Sequence, residues 1–130
     1  MIKIEKSTED LKVTFIVVKM GNDMNISILG GDKPHIGAIA LAVPREHFSE
    51  NEKTSVSVSL LTVTGQKEDE IVMPVAKKIS RSFNSSVVVS CGIHKDNITL
   101  KEIRTFVDLV NKATEEFIDK FKGLWDKLIS

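Results

Sequence analysis

Ten apolar residues in the last third of the chain, Ile103, Phe106, Val107, Val110, Ala113, Phe117, Phe121, Leu124, Trp125 and Leu128, recur at spacings of three and four. At a 100° increment they gather on one arc of roughly 140°. Such a helix needs a broad apolar surface to lie across, which means a sheet. Thr99 followed by Glu102 is a capping box and marks its start. Lys101, Arg104, Asp108, Lys112, Glu115, Asp119 and Lys122 fall on the other face.

The first sixty residues have the period of strands. In LKVTFIVVKM, Leu11, Val13, Phe15 and Val17 share a face. Gly21, Asn22 and Asp23 signal a turn, and Met24, Ile26 and Ile28 alternate with Asn25 and Ser27 in MNISILGG. HIGAIALAV follows, with small residues at Gly37, Ala38, Ala40 and Ala42, and suggests an interior strand closely approached on one side. Pro44 ends it, REHFSENEKT is a polar loop, and SVSVSLLTV alternates Val56, Val58 and Leu60 against serines. These four strands are expected to form an antiparallel meander. Glu68, Asp69 and Glu70 then favour a helix start, with Pro74 tolerable in a first turn. The spacing of Ile71, Val75, Ile79 and Phe83 predicts a helix over 69–83, and SVVVSC a buried strand over 87–91. The fold class is α+β: antiparallel sheet, helix, strand, long amphipathic helix.

Ile16 and Val18 point away from the face carrying Phe15 and Val17, so both faces of that strand carry apolar residues. The sheet is therefore expected to have helices on both sides or a second copy of the chain, and a homodimer is the preferred reading. A chain of 130 residues with 42% hydrophobic and 28% charged residues fits one domain spanning 1–130, with a core that needs no staple. A formal net charge of +0 removes the electrostatic argument for nucleic acid or an anionic membrane as partner. The single cysteine, Cys91, forbids an internal disulfide, and the charged MIKIEKSTED start is unlike a secretory signal. No run approaches the roughly 20 apolar residues of a membrane span. The expected location is cytoplasmic.

Three polar constellations interrupt the apolar frame: GGDKPHIG at 30–37, PREHF at 44–48 and CGIHKDN at 91–97. Each stands where a strand meets a loop, the usual place for functional groups on a rigid scaffold. His35, His47, His94 and Cys91 are a ligand-like set, but only Cys91 and His94 have a local metal spacing, so a divalent metal is left as an open reading. Cys91 paired with His35 or His94 could act as a nucleophile only with a lowered pKa; the competing reading buries it as a small hydrophobe. No GxSxG, P-loop or GxGxxG pattern is present, which makes a self-contained active site the minority reading. The glycines of the first segment can aim N–H groups at an anion, with Lys33, His35 and Arg45 supplying positive charge. A solvated turn stiffened by Pro34 is the plain alternative.

GGDKPHIGAIAL, VTGQKEDEIVMPVAKKIS and VVVSCGIHKDNIT together resemble the signature segments of the LpdD-like prenylated-flavin chaperone domain, over about Leu11 to Thr105. That family's fold is similar to that of proteasome assembly chaperones. The resemblance implies a protein that is not an enzyme but binds prenylated FMN and assists its delivery to a UbiD-type decarboxylase of hydroxyarylic acids. It implies ligand-facing positions at Gly31, Asp32, Lys33, His35 and Gly37, and at Cys91, Gly92, His94 and Asp96. A protein-assembly chaperone that holds a client and binds no small molecule is the alternative. The flavin site requires His35 and His94 to meet.

Overall fold

A computed structural model describes residues 1–45, 55–63 and 68–128. Six strands, β1 (Ile2–Ser7), β2 (Lys12–Met20), β3 (Asp23–Gly31), β4 (Ala38–Pro44), β5 (Val56–Thr62) and β6 (Val87–His94), form one sheet; helices α1 (Asp69–Phe83) and α2 (Leu100–Phe121) follow β5 and β6. The α+β class and the succession helix, strand, long helix stand as expected. The uninterrupted meander does not. The sheet order is β1-β2-β3-β6-β4-β5, with β6 inserted parallel to β3 and antiparallel to β4. Val87 and Val89 are fully buried and Val88 and Ser90 half-buried, so β6 requires neighbours on both edges. Local alternation carries no information about which strands those are.

β1 was not expected. Its residues Ile2 and Ile4 sit opposite Val17 and Phe15, while Lys3 and Glu5 face outward. A short charged strand is what an exposed sheet edge tolerates, and it becomes a strand only by pairing with β2. Lys6 Nζ reaches Glu116 Oε1 at 2.6 Å and ties this edge to α2.

Both helices lie on one side of the sheet. Leu11, Val13, Phe15, Val17, Met24, Ile26 and Ile28 turn toward them, as the alternation required, and are buried. Ala38, Ala40 and Ala42 let α1 approach β4 closely, with Val72, Val75, Ala76 and Ile79 packed into the space their small side chains leave. Pro44 closes β4 as expected, but the loop REHFSENEKT lies outside the described residues apart from Arg45, whose N–H donates to Ser55 O at 2.8 Å. Pro74 stands in the second turn of α1, deeper than expected. It is accommodated on the exposed face, where the Glu70 carbonyl it leaves without a donor faces water.

The capping box is present in both directions: Glu102 N–H donates to Thr99 Oγ1 at 3.1 Å and Thr99 N–H to Glu102 Oε1 at 3.1 Å. The α-helical period stops at Phe121, and a 3₁₀ segment over Lys122–Lys127 follows. Its tighter turn takes Leu124 out to solvent while keeping Trp125 buried. Trp125 Nε1 donates to Asn22 O at 2.8 Å, fastening the end of the chain to the β2–β3 turn. Leu109 and Ile118 join the buried stripe of α2.

The opposite sheet face has no helix among the described residues, so helices on both sides are excluded there. Val18, Leu41, Val43 and Leu61 are exposed on it, the last at 72%.

Candidate functional site

β3 and β6 run parallel, so both end at the same edge, where β4 begins antiparallel beside β6. The chain must cross the end of β6 to pass from Gly31 to Ala38. Residues 32–37 are that crossing, a strap over one strand instead of a hairpin turn. Asp32 N–H donates to His94 O at 2.6 Å on one side and Gly37 N–H to Cys91 O at 2.9 Å on the other. Between them the strap runs over Gly92.

The glycines follow from this crossing. A Cβ on Gly92 would lie 1.5 Å from the His35 carbonyl oxygen. Gly31 turns the chain upward at φ +77°, and a Cβ there would stand 1.9 Å from His94 O. A Cβ on Gly37 would meet the Glu68 carboxylate at 2.4 Å. Two backbones and one acid occupy the space where side chains would be. The surplus residues of GGDKPHIG are thus first a consequence of topology, since a strap over a strand needs length and close approach.

The crossing brings His35 and His94 together. Their ring centroids are 6.0 Å apart at an interplanar angle of 83°. CGIH belongs to β6 and not to the expected loop, because the strand runs three residues past Cys91. Alternation from Cys91 on the helix side puts Gly92 and His94 on the strap side. His94 Nε2 pairs with Asp96 Oδ1 at 2.9 Å, both partly open to water. His35 Nδ1 donates to Lys33 O at 3.2 Å, which directs Nε2 inward, 3.5 Å from Glu68 Oε1. Asp32 and Lys33 are exposed on the strap's outer curve. Lys95 is engaged with Glu102, each holding the other charged: the Lys95 pKa is raised and that of Glu102 lowered, in both cases chiefly by the hydrogen bond between them. Lys33 is therefore the cation the strap presents.

Cys91 departs from this cluster. Its side chain faces the core at 1% exposure, and burial, then the nearby Glu68 charge, pushes the thiol up to about 12. The nucleophile reading needed the opposite shift. The thiol takes the place of a small core hydrophobe. Because the folded pKa lies above an unfolded value near 9, neutrality of Cys91 favours the fold fully below pH 9, and that contribution is lost as pH rises toward 12. We expect no labelling by a thiol reagent in the native protein at pH 8, and complete labelling in denaturant. Rapid native labelling would show that the thiol is accessible.

His47 lies outside the described residues. Among the described residues no group of three or more His, Cys, Asp or Glu side chains is arranged to hold a metal ion.

In the sequence Glu68 reads only as negative charge at a helix start. It is the residue before α1, yet its side chain makes no cap and enters the fold at 6% exposure. Oε1 accepts from Ile93 N–H at 3.3 Å, in the position a β4 carbonyl would fill had the chain not lifted away at Gly37. Oε2 is buried with no hydrogen-bond partner. The signal was Gly37 itself, a glycine at a strand start that clears room for a side chain from elsewhere.

The model of the family described as prenylated flavin chaperone LpdD-like domain matches residues 7–122, and so takes in most of α2, well beyond the expected limit near Thr105. A solved structure, described as a novel chaperone complex for yeast 20S proteasome assembly, is similar at a TM-score of 0.49 and 8% sequence identity, covering 86% of this chain and 95% of that one. No curated protein sequence matches.

Proposed function

The chain belongs to the prenylated flavin chaperone LpdD-like domain family, and on that premise we propose that it is an accessory protein without catalysis of its own, which binds prenylated FMN at the strap and assists its delivery to a UbiD-type decarboxylase. The observation that carries this reading is the 6.0 Å approach of His35 and His94 at a strap that also offers the exposed Lys33. A flavin nucleotide combines an anionic phosphate with a ring that both donates and accepts hydrogen bonds. Lys33 and the histidines suit the former, and the buried, unpaired oxygen of Glu68 suits a donor on the latter. Gly31, Asp32, Gly37, Gly92 and Asp96 shape or orient that surface, and Cys91 supports it from below.

The test is to titrate the purified protein anaerobically with FMN and with reduced prenylated FMN, with and without divalent metal, by absorbance and calorimetry. Saturable binding of the prenylated form is expected. His35→Ala should weaken it by ~1 to 3 kcal/mol, the scale of a charge-assisted hydrogen bond, with little change in melting temperature. A collapse of melting temperature would make His35 structural, and no binding of either flavin by the natural protein would remove the reading.

The chain acts, in this reading, as one domain in the cytoplasm; no helix among the described residues is long and apolar enough to cross a membrane. The uncovered sheet face supports a homodimer paired through Val18, Leu41, Val43 and Leu61. Light scattering should then give twice the chain mass, and Leu61→Lys should give monomers. A monomeric natural protein at high micromolar concentration would instead favour the client-holding alternative for that face.

A further inference from the structure

We propose that the free edge of β5 is a contact between copies of this chain, in which β5 pairs antiparallel with β5 of a second copy about a twofold axis at Ser59 and the two sheets become one. The contact goes beyond the flavin reading and does not rest on it.

β5 ends the sheet order, so among the described residues no strand pairs with its outer side. Which backbone groups that side carries follows from the ladder to β4. Val63 N–H donates to Gly37 O at 2.9 Å, and Arg45 N–H donates to Ser55 O at 2.8 Å. Backbone direction alternates along a strand, so the odd-numbered residues turn to β4 and the N–H and C=O groups of Val56, Val58, Leu60 and Thr62 turn outward. The register is unbroken from Val56 to Thr62, and the strand contains no charge, proline or glycine. Exposed edges usually carry charge or a break as protection. β1, at the other end of the sheet, has it: Lys3 and Lys12 pair with Glu5, and Lys6 is tied to Glu116. β5 has the composition of an interior strand at an edge position.

A second copy fits this edge by register. A twofold axis perpendicular to the sheet relates antiparallel edge strands and keeps the helices of both copies on one side. With the axis at Ser59, Val58 lies opposite Leu60 of the other copy and Val56 opposite Thr62. No other register within Val56–Thr62 gives every outward N–H an outward C=O across the seam. The faces match as well: Val56, Val58 and Leu60, which pack toward the core, meet residues of that side, and Ser57 meets Leu61 on the opposite side. No like charges are brought together. The face-to-face pairing proposed above leaves the rim of the sheet open, so the two contacts are compatible. A strand-edge contact is much smaller than a standard interface, and its occupancy therefore depends on concentration.

The deciding experiment joins cysteine crosslinking to sedimentation equilibrium. On the axis, residue 59 forms a non-hydrogen-bonded antiparallel pair with its own copy, whose Cα atoms stand about 4.5 Å apart, inside the range of a disulfide. In a glutathione redox buffer Ser59→Cys should form a covalent dimer at least about tenfold faster than Ser57→Cys, whose thiol would meet Leu61 of the other copy. Cys91 is buried and stays out of the reaction. The natural protein should rise from two chain masses at about 10 μM toward four near about 1 mM, the range of a weak contact. Should the face pairing fail, the same edge would carry it from one chain mass to two. Val58→Pro removes an outward N–H and keeps the bonds to β4, and it should weaken this association by about 10- to 100-fold, two hydrogen bonds being lost across the axis. If Val58→Pro does not fold, Ser59→Lys takes its place by setting two ammonium groups on the axis. Equal crosslinking rates for the two cysteine variants, or a mass that does not rise with concentration, would overturn the proposal and leave the edge to a strand of another protein. Neither result bears on flavin binding.

Discussion

Gly92→Ala is expected to destabilise the protein by at least about 3 kcal/mol, at the upper end of overpacking effects, and to abolish flavin binding at accessible concentrations. The added methyl would stand 1.5 Å from the His35 carbonyl oxygen, a backbone atom, so no side-chain rotation relieves the clash. Either the strap lifts off β6 or the end of β6 is pushed away from β3 and β4. Both outcomes break the Asp32 and Gly37 bonds to β6 and carry His35 away from His94. A drop in melting temperature of about 10 °C follows from the size scaling of unfolding enthalpy and entropy. Gly123→Ala is the control: nothing lies within 4 Å of the added carbon there, and the variant should melt like the natural protein. A Gly92→Ala protein that melts within about 2 °C of the natural one, a shift that corresponds to less than about 1 kcal/mol for a chain of this size, would mean that the strap does not run as described.

Phe117→Ala tests the other end of the molecule. Its ring is fully buried and lies 5.9 Å from Phe15 on β2, 5.1 Å from Phe83 on α1, 5.6 Å from Phe121 and 5.8 Å from Trp125, centroid to centroid. One side chain thus joins the sheet, both helices and the 3₁₀ end. Truncation leaves a cavity bounded by rigid aromatic rings that collapse poorly, and the expected loss is about 3 to 5 kcal/mol. The melting temperature should fall by about 10 to 20 °C, and the denaturant midpoint should fall with little change in slope. Phe117 lies roughly 25 Å along α2 from its first residue, at a rise of 1.5 Å per residue, and the site is at that first end. Flavin affinity measured well below the melting transition should accordingly be unchanged. Gly92→Ala and Phe117→Ala therefore separate the strap from the core: one lowers both readouts, the other only stability.

The elements that were legible in the sequence are those whose cause is local. The helix over Asp69–Phe83, the capping box at Thr99 and Glu102 and the buried faces of β2 and β3 follow from period, propensity and short-range hydrogen bonds, and the structure has each of them. Glycines at 31, 37 and 92 and two histidines could be marked as unusual for the same reason. The resemblance carried by those segments points to the same family whose model matches residues 7–122.

The order of the sheet was not legible, because inserting β6 between β3 and β4 satisfies the same alternation as leaving it at an edge. That insertion makes residues 32–37 a strap, brings His35 beside His94 and gives the three glycines their purpose. Cys91 was ambiguous by type and was decided by register: one residue either way along β6 would have turned its thiol out. Glu68 was hidden because acidic residues before a helix ordinarily face water, and only the gap where β4 leaves β6 draws this one inside. The sequence alone determined which residues could serve a site of this chemistry. The pairing of strands distant in the chain, governed by burial on both edges of β6, decided which of them meet.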